Sequence, residues 1–335
     1  MRKLHLPLLA IVLFSWACKS TQSDPAQNAP NHALQWVRFD SAFFAIDTTH
    51  IAASIQVLNQ KYPQFAPDFF AKILMLNTTR DTVMVKEFYK AYLPIYKQAI
   101  KSNAIALEQH AFGEAFKRIH YYFPAYPLTH NIIGFVGPLE SYGNIITNNG
   151  LALGLQMYLG ASSDWYFSER IQTIYPAYLS RRFSHEYLVA NSVQNIINDI
   201  VPVPKLNGSL LDEMIEAGKR QYVLNACIPQ APDSVKFGFT TLQLNALRQQ
   251  ESTIWNYILH AKLTYSNLPS DIRSLMQEGV YSDVFGESIP GNAGKYIGYQ
   301  IVAAWMQQKA QKEISMEALL RTPNDRLFAA AAYQP

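Results

Sequence analysis

Between Asn131 and Leu159 the hydrophobic pattern changes period, and that change sets the class of fold. Asn131-Ile132-Ile133-Gly134-Phe135-Val136 is a short β-type run. Leu151, Leu153, Leu155, Met157 and Leu159 then recur at every second position, the repeat of a strand. Gly143 to Gly150, which includes Asn148-Asn149-Gly150, is turn-rich and separates the two runs. On both sides the spacing is helical. Phe112, Phe116, Ile119 and Phe123 follow one another at four, three and four residues, one apolar face of a helix over 105–122 that Pro124 and Pro127 end. Helices around one small sheet or hairpin make an α-rich α+β protein.

The remaining chain extends that reading. Asp40 is a candidate N-cap for a helix reaching about residue 60, with Pro63 stopping it. Residues 68–76 and 81–101 read as helices, the second bent at Pro94. Residues 178–199 are helical, with Ser184 as the place for a break or cap. Val189, Val193, Ile196, Ile197 and Ile200 form the apolar stripe, and Pro202 and Pro204 follow it. Further helices are predicted over 210–225, 242–263, 272–277, 295–312 and 315–320, before an Ala-rich end. The glycines between Pro290 and Gly298 lack the Gly-Lys-Ser/Thr ending of a phosphate loop; they are expected to let the 295–312 helix pack closely. No internal linker is long and polar enough to divide the body, so residues 33–335 are one domain. With 49% hydrophobic and only 16% charged residues, the chain can bury a sizeable core.

The N-terminus is of a different kind. Arg2 and Lys3 precede an apolar run from Leu6 to Trp16, too short to span a bilayer and suited to a signal peptide over 1–17. Ala17-Cys18 directly after it resembles a bacterial lipobox. On that reading Cys18 is the first mature residue and carries the lipid, palmitate included. The alternative is an ordinary signal peptide with an incidental cysteine. Residues 18–32, rich in Ser, Gln, Asn, Pro and Ala, read as a flexible tether. The net charge of +3 and the absence of a basic tract exclude nucleic acid as an expected partner. Cys227 is the only cysteine left in the body, so no internal disulfide is expected.

One stretch invites a catalytic reading. His185-Glu186 opens a helix as the first two residues of His-Glu-x-x-His do, where histidines at i and i+4 share a face and reach one zinc ion. The fifth position here is Val189. If Gly218 and Tyr222 match the Gly and Tyr of a second zinc-protease helix, the third ligand falls on Ala217, with Glu216 one residue away. His185 and Glu186 would then be one ligand and the general base of a site that has lost two ligands. The alternatives are a metal site rebuilt from Glu213, Glu216 and another histidine, or chance similarity. The bland reading of Glu213 and Glu216 is a solvated helix face.

Larger stretches carry a family resemblance. Ser252-Thr253-Ile254-Trp255-Asn256-Tyr257-Ile258, Lys262-Leu263-Thr264-Tyr265-Ser266 and Pro290-Gly291-Asn292-Ala293-Gly294-Lys295-Tyr296-Ile297-Gly298-Tyr299-Gln300-Ile301-Val302 resemble the gliding-motility lipoprotein GldB family of Bacteroidetes. Arg38-Phe39-Asp40, Tyr62-Pro63-Gln64-Phe65, Tyr122-Phe123-Pro124, Met157-Tyr158-Leu159-Gly160 and Met214 to Tyr222 match upstream, in order. Asn292, Ile289 and Gln249-Gln250 depart from the family pattern, which marks a divergent member. The resemblance implies a zincin-like fold with a degenerate metal site (a pseudo-peptidase). It implies no catalytic residue, no metal and no cofactor, with His185, Glu186 and Glu216 as vestigial-site candidates. It also implies a non-enzymatic accessory or scaffold role in gliding motility and the associated secretion. The protein is then held in the cell envelope by the lipid on Cys18, at the periplasmic side of the outer membrane, with other envelope proteins as partners. A cryptic zinc peptidase and a ligand-binding helical lipoprotein are the alternatives.

Overall fold

A computed structural model describes residues 25–77, 81–204, 208–308, 311 and 313–335. The signal-peptide and Cys18 readings lie outside these residues. Four strands form one mixed sheet: β1 (Gln35–Arg38), β2 (Asn131–Phe135), β3 (Asn144–Thr147) and β4 (Gly150–Gly154). The spatial order is β1-β2-β4-β3, with β1–β2 and β2–β4 parallel and β3–β4 antiparallel. Asn148-Asn149 make the tight turn of the β3–β4 hairpin. The two central strands are almost wholly buried, as parallel strands covered on both faces must be. Strand β1 is short and partly exposed, and β3 contains no long apolar run, so neither stands out in the sequence.

The helices run α1 (Phe39–Phe43), α2 (Ile51–Lys61), α3 (Ala66–Asp68, continued by a π-turn over Phe69–Ile73), α4 (Thr82–Ser102), α5 (Ala104–Tyr122), α6 (Glu169–Ile174), α7 (Ala177–Ser180), α8 (Leu188–Ile200) and α9 (Leu210–Cys227). After them come α10 (Asp233–Phe237), α11 (Thr241–Gln249), α12 (Glu251–His260), α13 (Pro269–Met276), α14 (Ala293–Met306), α15 (Met316–Arg321) and α16 (Asn324–Ala331). No described helix is long and apolar enough to cross a membrane.

The α-rich α+β reading holds, and three expected helices are divided. Asp40 does not cap a helix to residue 60. It lies in the first turn of α1, fully buried, where Arg38 donates from Nε and Nη2 at 2.9 and 2.6 Å. The expected 242–263 helix breaks at Gln250 into α11 and α12. The expected 178–199 helix opens after α7, because Phe183 turns in to meet Tyr166 and Tyr175 edge-on, at 5.0 and 5.2 Å between ring centroids. Ser184 is extended there (φ −129°, ψ 161°), and a 3-10 turn, His185–Tyr187, leads into α8.

The closest helix contact is between α9 and α14. A Cβ on Gly298 would stand 1.7 Å from the Met214 carbonyl oxygen, and one on Gly218 would stand 2.2 Å from the Gly298 carbonyl. The glycines of the Pro290–Gly298 stretch thus serve packing, backbone against backbone. The most aromatic part of the core lies around α1, α3 and α4. There Phe39 meets Phe65 and Phe69 edge-on, each at 4.9 Å, and such pairs add about 1 kcal/mol each beyond the area they bury.

The last residues of the stretch read as a tether, 25–32, lie against the body. Ala26 is fully buried, and Lys117 Nζ donates to the Gln27 carbonyl at 3.3 Å. The His32 ring stacks on His130 at 4.2 Å with 4° between the planes, and His120 stands 5.9 Å away. Composition says nothing about such contacts, since each depends on a residue about a hundred positions further on.

Candidate functional site

The turn that carries His185 and Glu186 sits at the mouth of a cavity of about 290 Å³. Small side chains on α5, Ala111 and Ala115, leave the space. Val189 and Ala190 of α8 and Ile228 and Pro229 beyond α9 close it. Its polar wall is made by Glu108, His110, Glu114 and Arg118 of α5, with Glu186 opposite. The His185 ring meets Glu108 through Nδ1, at 2.7 Å from Oε1, which directs Nε2 away from that carboxylate. Glu114 binds Lys117 at 3.1 Å and stands 3.8 Å from Arg118. At the cavity floor Cys227 is sealed, and burial pushes its thiol up to about 12, so it stays protonated and unreactive.

Glu216 is elsewhere, in a buried ion cluster. Lys219 donates to Oε1 at 2.7 Å and Arg220 to Oε2 at 2.6 Å. Lys219 also donates to the Thr322 carbonyl at 2.5 Å and to Asn324 at 2.6 Å, and Arg220 to the Val201 carbonyl at 3.2 Å. Burial lowers the Lys219 ammonium from its ordinary value, and the Glu216 carboxylate opposes that effect. Glu213, Glu216, Ala217 and Lys295 line a second cavity of about 300 Å³. There burial, with Asp212 and Glu216 adding repulsion, raises Glu213. Burial also lowers Lys295 to about 8, with its Nζ 3.2 Å from the Phe237 carbonyl.

The positions matched to a zinc site therefore divide between two cavities. His185, Glu186 and Val189 gather at the first; Glu216 and Ala217 are at the second. Val189 is buried in the core and offers no donor atom. Both oxygens of Glu216 already receive cations. These residues do not fit a zinc ion, and no group of three or more His, Cys, Asp or Glu among the described residues is arranged to hold a metal. Reading the sequence misses the contribution of α5, whose Glu108, Glu114 and Arg118 flank Ala111 and Ala115. The available cue is the pair of alanines four apart, a gap in bulk on a helix otherwise read from its phenylalanines.

No curated protein and no solved structure matches the chain. The family model described as gliding motility protein GldB matches residues 20–335. Over that span, which is nearly its whole length, the chain belongs to the GldB gliding-motility family.

Proposed function

We propose that this chain is a lipid-anchored envelope protein that serves gliding motility, and the secretion tied to it, as a non-enzymatic accessory or scaffold. Family membership supports the link to gliding motility and to a lipoprotein. The non-enzymatic part is carried by Glu216, whose two oxygens are occupied by Lys219 and Arg220, while Val189 stands where a second histidine ligand would be needed. On this reading the mixed sheet followed by the His185-Glu186 turn descends from a zincin-type protease whose metal site was dismantled. The anchor is Cys18, and the body faces the periplasm from the outer membrane.

The test has two arms. In cells fed labelled palmitate, the chain takes up label and partitions with the outer membrane, whereas Cys18→Ser loses both properties. Purified wild-type chain contains far less than one zinc per molecule and shows no peptide cleavage that a chelator abolishes. Stoichiometric zinc, or peptide cleavage abolished by a chelator and by Glu186→Gln, overturns the non-enzymatic reading.

The apolar lining of the α5–α8 cavity favours one addition to that reading: the scaffold holds its partner through a pocket, which gives the first cavity a use that needs no metal.

A further inference from the structure

We propose that the cavity at the start of α8 receives an apolar side chain of a partner polypeptide that carries a lysine or arginine beside it. The inference rests on the accessory reading above and names the chemistry of its partner.

Shape gives the first half. Ala111, Ala115, Val189, Ala190, Ile228 and Pro229 bound about 290 Å³. Ligand sites run from about 300 to 1,000 Å³, so this one is at the small end and suits a side chain better than a cofactor. A Leu-sized group entering it leaves water for apolar surroundings, which favours its burial. Cys227 at its floor is neutral.

Charge gives the second half. Glu108, Glu114 and Glu186 all reach the cavity wall. The cations that pair with Glu114 are less exposed than it is: the Lys117 and Arg118 side chains are 10% and 5% exposed, against 34% for Glu114. Arg118 also lines the cavity, but there the three carboxylates Glu108, Glu114 and Glu186 outnumber it. Glu186 is exposed and has no ion-pair partner among the described residues. The mouth is acidic, around an apolar interior. That combination draws a cation to the rim and an apolar group to the floor, the charge setting orientation and encounter rate and the burial setting residence. An acidic or purely polar partner meets repulsion at the rim or gains nothing inside.

The test uses the purified chain at low salt and three dye-labelled peptides followed by fluorescence anisotropy: acetyl-Lys-Leu-Leu-Lys-amide, acetyl-Glu-Leu-Leu-Glu-amide and acetyl-Lys-Ser-Ser-Lys-amide. The first is expected to bind saturably and at least about tenfold more tightly than the other two, with affinity falling as salt rises. Glu186→Lys, on an exposed position that leaves the unfolding midpoint unchanged, is expected to weaken it about tenfold or more. Ala111→Trp, which fills the cavity, is expected to do the same. Equal binding of the acidic peptide, no saturable binding, or indifference to Glu186→Lys overturns the proposal. Equal affinity for n-octylammonium, which has the charge and the apolar chain but no peptide backbone, also overturns it by assigning the cavity to a small amine. Palmitate labelling and fractionation of Cys18→Ser are read independently, so failure of the peptides with an intact anchor sinks the cavity assignment alone.

Discussion

Two acid–base clusters stand in this protein where a comparison with proteases would seek one. At the start of α8, His185 meets Glu108 with the histidine 41% and the carboxylate 15% exposed. On α9, Glu216 holds Lys219 and Arg220 with the three side chains between 1% and 8% exposed. The pair distances are the same within 0.1 Å. What differs is water. Around Glu216 each charge has given up hydration and depends on its partners. Around His185 water screens the pair and competes with it. Chemical type and spacing in the sequence do not separate the two cases; burial does, and it makes one cluster structural and leaves the other free to serve a surface.

The comparison breaks most visibly at the contact that seals the α9 side. Gly298→Ala puts a methyl group 1.7 Å from the Met214 carbonyl. The obstacle is backbone, which cannot rotate aside, so α14 must separate from α9. The expected loss exceeds about 3 kcal/mol, read as failure to fold or a large fall in the urea midpoint. Gly218→Ala, with its Cβ 2.2 Å from the Gly298 carbonyl, should do nearly as much. An unchanged midpoint in both would mean that α9 and α14 are not packed backbone to backbone.

Next in size is the cluster itself. Glu216→Ala leaves Lys219 and Arg220 buried without their counter-charge, and breaking a buried pair in this way costs about 3–5 kcal/mol. Equilibrium unfolding with and without the substitution measures it. A loss under about 1 kcal/mol would place Glu216 with His185 among the screened groups and remove the contrast.

How much of this was legible in sequence follows from the same physics. That α14 packs closely was readable from the glycines of the Pro290–Gly298 stretch, but its partner, α9, was not, because the contact joins residues far apart in the chain. Helices α5 and α8 were readable from their apolar spacing, β2 from a short apolar run and β4 from the alternation that begins at Leu151; that alternation does not continue as strand, since Leu155–Met157 form a 3-10 turn. Strands β1 and β3 were not, being four residues each with no alternation of their own. The turn at Ser184 was foreseeable as a break, yet its cause, Phe183 packing on Tyr166 and Tyr175, is tertiary. The separation of Glu216 from His185 was hidden for a related reason. The groups that decide it, Glu108 for one and Thr322 and Asn324 for the other, lie 77 residues or more away along the chain.

A third cluster, of histidine rings, responds to pH. His32 is stacked on His130, close to His120, where the N-terminal segment joins the body, and burial first, then the two neighbouring rings, lowers its pKa from 6.5. The backbone contact to Thr129 acts the other way. The charged groups around it are His120, Glu114 and Lys117 of α5, and His110 on the same wall. A base whose folded pKa is depressed contributes fully above its unfolded value. That contribution is lost as pH falls below 6.5 toward the lowered value, because the unfolded chain takes up the proton first. The unfolding midpoint should therefore drop between pH 7.5 and 5.5, and His32→Asn should make that drop smaller. An equal drop in the variant would show that the stack contributes nothing to the pH response.

The smallest effect is the one that defines the open cluster. His185→Ala removes a side chain that is two-fifths exposed, and Glu108→Gln removes the charge it faces. Exposed pairs of this kind contribute about 0–1 kcal/mol, so each single variant should unfold within that range of the parent. The double variant should lose no more than the larger of the two, since either change alone ends the interaction. If His185→Ala instead costs as much as Glu216→Ala, the α8 turn is a structural keystone and the two clusters are alike after all. If it costs little, the turn can change its side chains at small expense to the fold, which is what a surface that adapts to a partner requires and what a cluster sealed between α9 and its neighbours cannot do.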